Sequence, residues 1–392
     1  MKRGQMGRNQ THDSAEKPGP AAQVSFSRAI LIIGVASALD LLFGKPATRS
    51  KDEPAFGEPQ SRQEPLQTHL ERSKESGRGR RAALPMEIPW TGWKDILWRT
   101  AYQVSEDRLL AIAAGVVFYG LLALFPAVTA LVSCYGLFAK PDTINGHLSF
   151  LEGVMPAEAF SIVQDQIARV VAKGQAGLSF GFAIGLAIAL WSANAGMKAV
   201  MDALNIVNEE NEKRGFIRLN LVSLAFTIAA LFAVLAAVAA VVVTPLVLSK
   251  VGLAGLTETI VRFFRWPVLT LGMLLGLSVL YRYGPSRRAA KWGWISFGAV
   301  FATLTWFAAS AALSFYFADF ANYNATYGSL GAAIGTMMWM WMSAIVILFG
   351  AELNSEIEHQ TALDTTVGSE KPLGARGATM ADTVGAAHSP AE

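Results

Sequence analysis

The chain has 392 residues, of which 52% are apolar and 16% are Asp, Glu, Lys or Arg, and its formal net charge is +3. A soluble chain of this size carries about 25% charged residues, and here the charges lie mostly outside long apolar runs. That split excludes an ordinary soluble globular protein and points to an all-α polytopic membrane protein with polar ends. The only cysteine is Cys134, so no intrachain disulfide exists, and the five histidines (His12, His69, His147, His359, His388) are scattered without metal-ligand spacing. No metal or cofactor and no nucleic-acid partner are expected from this inventory.

Residues 1–87 read as a mostly disordered N-terminal extension, polar and rich in Gly, Pro and mixed charge. Within it, 29–43 (AILIIGVASALDLLF) is apolar but short of the roughly 20 residues a span needs. It is left open between an interfacial helix, a degraded span and a seventh crossing. The stretch WTGWKDILWRTAYQVSEDRL follows. Trp90, Trp93, Leu97, Ala101 and Val104 recur there at helical spacing, which predicts an amphipathic helix lying on the membrane surface.

Six long apolar runs come next, at 110–139, 178–200, 219–248, 264–283, 292–318 and 328–351. They predict a bundle of six transmembrane helices within a membrane domain at 88–360, and they are too continuous for a β-barrel. In the first run Pro126 removes a backbone hydrogen bond and predicts a kink. Between the first two, AEAFSIVQDQIARVVA lines Phe160, Val163, Ile167 and Val170 on one helical face, which predicts a short external helix. Basic residues gather in alternate connections: Lys213, Arg214 and Arg218, then Arg282, Arg287, Arg288 and Lys291. The positive-inside rule then puts both ends in the cytoplasm of a bacterial cell, in a multi-pass inner-membrane protein. Residues 361–392 read as a disordered cytoplasmic tail.

Several constellations are candidates for function. Asn194, Lys198, Asp202 and Asn205 fall at steps of four, four and three, on one helix face, with Lys198 and Asp202 placed to pair. With Glu352 and Asn354 at the same predicted level, they outline a candidate polar pathway; the bland reading is an amphipathic helix end with Lys198 snorkelling. Glu352, Glu356 and Glu358 otherwise read as solvated helix-end charges. Gly177, Gly181 and Gly185, Gly272 and Gly276, and Gly331 and Gly335 recur at four-residue spacing, which suits helix packing within the chain or a homo-oligomer. Arg214, Arg218, Arg282, Arg287 and Arg288 are candidate contacts for an anionic lipid headgroup, or topology signals only. In the last run, Trp339 and Trp341 are expected to point to different sides.

Three segments in order carry a resemblance: Asp107 with AAGVVFYGLLALFPAVTALVSCYGL, then WSANAGMKAVMDALNIVNEENEKRGFIR, then YGSLGAAIG…LFGAELNSEIE. Together they resemble the YihY/BrkB family over roughly residues 88–360. The resemblance implies a bacterial inner-membrane protein of about six spans, linked by name to virulence or serum resistance and often labelled ribonuclease BN. It supplies no catalytic residues. The expected role is a transporter or exporter of a lipid or small solute with a polar cytoplasmic mouth, and not an enzyme. The alternative is a non-transporting scaffold for an envelope complex. The ribonuclease reading is disfavoured, because no metal-ligand cluster is spelled out and little soluble mass exists.

Overall fold

Helix follows from the apolar runs, since in a lipid setting every backbone N–H and C=O must be satisfied within its own segment. The computed structural model describes residues 64–136, 180–238, 256–319 and 330–388. All of them belong to one compact unit that begins at residue 54. The segment 29–43, Gly177 and the expected external helix with Phe160, Val163, Ile167 and Val170 lie outside the described residues.

Among the described residues regular structure is helical. A short α1 (Leu66–Arg72) and a 3-10 turn (Pro85–Glu87) precede the amphipathic α2 (Trp90–Glu106). The long helices follow as α3 (Leu109–Gly136), α4 (Phe180–Val207), α5 (Phe216–Val238), α6 (Leu256–Tyr283), α7 (Trp292–Asp319) and α8 (Leu330–Glu358). The single turn α9 (Thr379–Asp382) lies in the C-terminal segment.

The expected runs coincide with α3 to α8. Among the described residues, Phe216–Ala237, Trp292–Phe317 and Ala333–Glu358 are long and apolar enough to cross a membrane, and α2 with Leu109–Leu124 adds a fourth if that bent pair is one span. The outer faces stay apolar: Phe216 and Ile217 are each 73% exposed, and Phe232, Phe263 and Leu304 are similarly uncovered. Contiguous apolar surface of this kind suits lipid rather than water.

The hub is α8, which packs on α7 and α3 and also touches α2, α4 and α9; α3 packs most extensively on α4. The core is built from small residues, with Ala113, Ala203, Ala299, Ala302 and Ala351 buried beside Leu109, Leu204 and Leu348. The closest approach joins α7 to α8. A Cβ on Gly298 would fall 2.0 Å from the Gly350 carbonyl oxygen, and one on Gly350 would fall 2.7 Å from the Gly298 oxygen. Gly196 likewise faces Gly120 and Ala123 across the α3–α4 contact.

These glycines are not the ones the spacing pattern selected. Among the described residues, a Cβ on Gly272 or Gly276 would meet nothing within 4 Å. Gly335 sits at ordinary distance (3.5 Å) from Phe317. Gly181, Gly185 and Gly331 lie in helix ends where only the backbone is described. Small-residue spacing selects a helix face, but only the partner helix decides whether that face is used.

Pro126 sits inside α3, which runs unbroken through it. The sharp turn comes earlier, a bend of 59° between α2 and α3, where Arg108 takes a left-handed φ of 51°. Trp339 and Trp341 do point to different partners: the indole of Trp341 donates to Leu110 O on α3, and that of Trp339 to Ser310 Oγ on α7.

Candidate functional site

The expected apolar face of the amphipathic helix α2 divides: Trp90 (67% exposed), Leu97 (48%) and Ala101 face outward, while Trp93 is half-buried against Phe297 and Val104 is buried. Its inward face buries Asp95, Ile96, Arg99, Thr100 and Val104. Polar side chains are thereby delivered into the protein, where burial is tolerable only with partners.

Arg99 finds them on α8 and in the C-terminal segment. Its Nε donates to Glu356 at 2.5 Å, one Nη to Gln360 Oε1 at 2.8 Å, and the other to Ala386 O at 2.8 Å. Arg78 reaches both Asp95 oxygens at 2.7 and 2.8 Å. A second contact closes the α6–α7 connection on α8: one Arg287 Nη donates to both Glu358 oxygens, at 2.7 and 2.5 Å, and the other to Asn208 Oδ1 at 3.0 Å. Serving two partners at once suits the guanidinium, with its several fixed donors. Arg287→Lys keeps the charge and the reach to Glu358 but loses the second nitrogen and the Asn208 bond. It is expected to lower stability by about 1.5–3 kcal/mol, read from the melting temperature of purified protein.

The three carboxylates at the end of α8 are therefore not solvated. Glu352, Glu356 and Glu358 are 0%, 2% and 3% exposed. The reason is the cover over them. Residues 361–388, expected as a disordered tail, turn back over the end of α8 and bury Thr361, Met380, Ala381 and Val384. The tail is held by side chains bonding backbone rather than by an apolar core. The Arg376 guanidinium donates to the carbonyls of Ala362, Leu363, Lys371 and Ala381. Asp382 accepts from the N–H groups of Arg376 and Gly377. Asp364 accepts from Thr366 and Lys371; burial alone would push its carboxyl up, yet these bonds and Arg376 hold it below the usual carboxylate range. Residues 64–87 join the same cap, with Val384 N–H donating to His69 and Arg80 donating to Gly385 O. His359 lies beneath this cap, and burial keeps its imidazole neutral against the pull of Glu356.

The four-residue face on α4 does not act as a unit. Lys198 does not pair with Asp202: its Nζ sits 5.1 Å from the Trp191 ring centroid, while Asp202 is exposed. Asn194 is buried and accepts from Thr227 Oγ1 at 3.3 Å. Asn205 and Asn354 are structural clamps. Asn205 Oδ1 accepts from Ser286 N–H and its Nδ2 donates to Glu212. Asn354 Oδ1 accepts from Gly298 N–H and its Nδ2 donates to Ile295 O, which locks α8 to α7 where the glycines meet.

The basic rim is partly spent as well. Arg214 is bound to Glu212, and Arg287 to Glu358. Burial favours the neutral Glu212 acid, but the bonds from Arg214, Asn205 and Ser286 win and bring its carboxyl down to about 2. Arg282 stacks on Trp292 (4.3 Å) and Tyr283 (5.4 Å). Arg218 is exposed, and a buried Arg288 nitrogen has no hydrogen-bond partner.

What remains is the convergence of α2, α4 and α8. Glu352 is buried there with both oxygens lacking a hydrogen-bond partner, and Asp107 Oδ2 is in the same state. Glu209 ends α4 in a left-handed conformation (φ 51°), as the C′ residue of a Schellman turn closed by Glu210 N–H to Asn205 O and Glu209 N–H to Ile206 O. Its carboxylate accepts from Gln103 on α2. Asp107, Glu209 and Glu356 lie within the segments that carry the family resemblance, yet no spacing marks them, or Arg99, as site residues. Their signal is tertiary, because they sit on different elements and no periodicity joins them. Among the described residues no group of three or more His, Cys, Asp and Glu side chains is placed to hold a metal ion.

The family described as virulence factor BrkB matches residues 100–373, most of the chain and nearly all of this convergence. The chain belongs to the BrkB family. It is 33% identical over 255 residues to a Bacillus subtilis protein named "Putative ribonuclease-like protein YfkH", covering 64% of this chain and 90% of that one. It is 31% identical over 105 residues to a UPF0761 membrane protein of Tolumonas auensis, covering 27% of this chain and 33% of that one. A UPF0761 membrane protein of Albidiferax ferrireducens matches at 24% identity over 285 residues, covering 68% and 65%. No solved structure matches. This BrkB chain is thus a helical membrane protein, of a family known as membrane proteins rather than as enzymes.

Proposed function

We propose that this BrkB chain is an exporter of a lipid or small solute, working from a polar mouth at the capped end of the bundle. The observation that carries the reading is the buried, unpartnered Glu352 where α2, α4 and α8 converge. Ionisable groups inside a membrane bundle are costly, and are retained where a pathway or relay uses them. Helices that only packed together would have no use for one. Glu352 is the member of the expected polar pathway that this reading retains; Asn205 and Asn354 serve as clamps. For headgroup contact the reading keeps Arg218, Arg282 and Arg288, since Arg214 and Arg287 are neutralised by their carboxylates.

An inner-membrane placement with the capped end in the cytoplasm accompanies this reading. The segments 64–87 and 361–388 bond to each other, so they lie at one end of the bundle. The Lys/Arg-rich connections join them there: Arg288 N–H donates to Gly377 O, and Thr379 N–H to Glu210, which pairs with Lys213. Basic residues at one end favour the cytoplasmic side.

The test is reconstitution of the full chain into liposomes holding fluorescently labelled phosphatidylglycerol in the inner leaflet. Protein-dependent appearance of the label outside, reduced in Glu352→Ala, is the expected result. A folded protein that moves no label, and that crosslinks in cells to one stoichiometric partner, would instead favour the scaffold reading. The folded cap of 64–87 and 361–388 is the specific feature on which that alternative draws, since it offers a rigid platform.

A further inference from the structure

Charges at the capped end are matched almost residue for residue: Arg78 with Asp95, Arg80 with Glu75, Arg99 with Glu356, Lys213 with Glu210, Arg214 with Glu212, and Arg287 with Glu358. Glu352 has no such partner. It sits one turn before Glu356 on α8, at 0% exposure, with Oε1 and Oε2 both sealed from solvent and from any hydrogen-bond donor. The charged groups around it are of its own sign: Asp107 from the α2–α3 joint, Glu209 from the end of α4 and Glu356 from α8 itself. Asp107 in turn feels the like charges of Glu209, Glu356 and Glu106, and its Oδ2 is sealed too.

Among the described residues no cation is free to balance this group. From α2, Arg99 is consumed by Glu356, Gln360 and Ala386, and Gln103 donates to Glu209. Arg108 at the joint is exposed, and Asp202 on α4 points away to the surface. His359 on the turn after α8 is held neutral by burial. A sealed carboxylate with no donor, no counter-ion and like charges beside it is strongly unfavourable, and taking up a proton removes the penalty. A metal ion would remove it too, but among the described residues no group of three or more His, Cys, Asp and Glu side chains is placed to hold one.

We propose that Glu352 is a proton-binding site of the bundle, with Asp107 the neighbour that helps hold the proton there. The like charge of Asp107 beside it favours the neutral acid. On the exporter reading, on which this extension alone rests, the proton is the coupling ion. Its release leaves an uncompensated charge in the bundle, which favours an arrangement with the α2–α3 joint opened to water.

The test is infrared spectroscopy of the full chain in nanodiscs across a pH series. The carbonyl stretch of a protonated carboxyl group is expected to persist in neutral buffer and to disappear in Glu352→Gln, an isostere that keeps the neutral form. Asp107→Asn is expected to lower the pH at which the band is lost. A wild-type protein with no such band in neutral buffer overturns the proposal without any variant; so does a band that survives in Glu352→Gln. A melting temperature raised by Na⁺, Mg²⁺ or Ca²⁺ at constant ionic strength, in wild type and not in Glu352→Gln, overturns it in favour of a metal ion. The band is read with no substrate present. Failure of lipid movement therefore removes the exporter reading and leaves proton binding standing, and loss of the band does the reverse.

Discussion

Arg99→Ala is expected to destabilise the protein by about 3–5 kcal/mol, because it strands Glu356 as a buried charge. Both side chains are almost wholly sealed, and among the described residues Arg99 is the one charged cation bonded to Glu356, the nearby His359 imidazole being held neutral by burial. The same substitution removes donors from Gln360 Oε1 and Ala386 O, so α2, α8 and the C-terminal segment lose their shared anchor. The measurement is thermal unfolding of purified protein, with hydrogen exchange across residues 380–388. Faster exchange there is expected with the fall in melting temperature. The second variant Arg99→Ala with Glu356→Gln is expected to recover part of the loss, since it removes the stranded charge while leaving the missing donors. A double variant no more stable than the single one would show that the charge is not the source of the cost.

Gly298→Ala is expected to cost about 1–3 kcal/mol, the range for forcing one extra methyl into a close contact. The added carbon would overlap the Gly350 carbonyl at 2.0 Å and the Asn354 amide at 2.6 Å, so α7 and α8 must separate and the Asn354 clamp must break. Gly272→Ala and Gly276→Ala form the control. Among the described residues an added carbon at either meets nothing within 4 Å, and the change is expected to stay within about 0.5 kcal/mol. Melting temperatures of the three variants in one detergent decide it. Equal losses at Gly298 and Gly272 would contradict the α7–α8 contact as the tight point of the bundle.

The legibility of the chain divides along the range of the physics involved. Helical identity was legible in the continuous apolar runs, and so was membrane character, because lipid imposes a length and a polarity on each segment separately. The family was legible in three motif segments that lie within single stretches of chain. The opposed directions of Trp339 and Trp341 follow from helical periodicity alone, whereas the expected face of α2 divides, with Trp90, Leu97 and Ala101 outward and Val104 inward. Pairings between elements were not legible. Lys198 and Asp202 have ideal spacing for a pair, yet Lys198 goes to the Trp191 ring and Asp202 faces out, because the wider surroundings outweigh an exposed i,i+4 attraction worth only a few tenths of a kcal/mol. The tail looked disordered because Gly, Ser and Thr bury little apolar area. What folds it is a set of Arg376, Asp364 and Asp382 bonds to backbone that composition does not reveal.

By itself, then, the sequence determined the helices, their lipid-facing surfaces and the family, each a property of one segment and its solvent. The tertiary structure alone decided which glycines touch, which arginines are spent on carboxylates, and that Glu352 is left sealed without a partner. Burial and charge compensation depend on what arrives from other elements, here α2, α4 and a C-terminal segment that turns back over the end of α8.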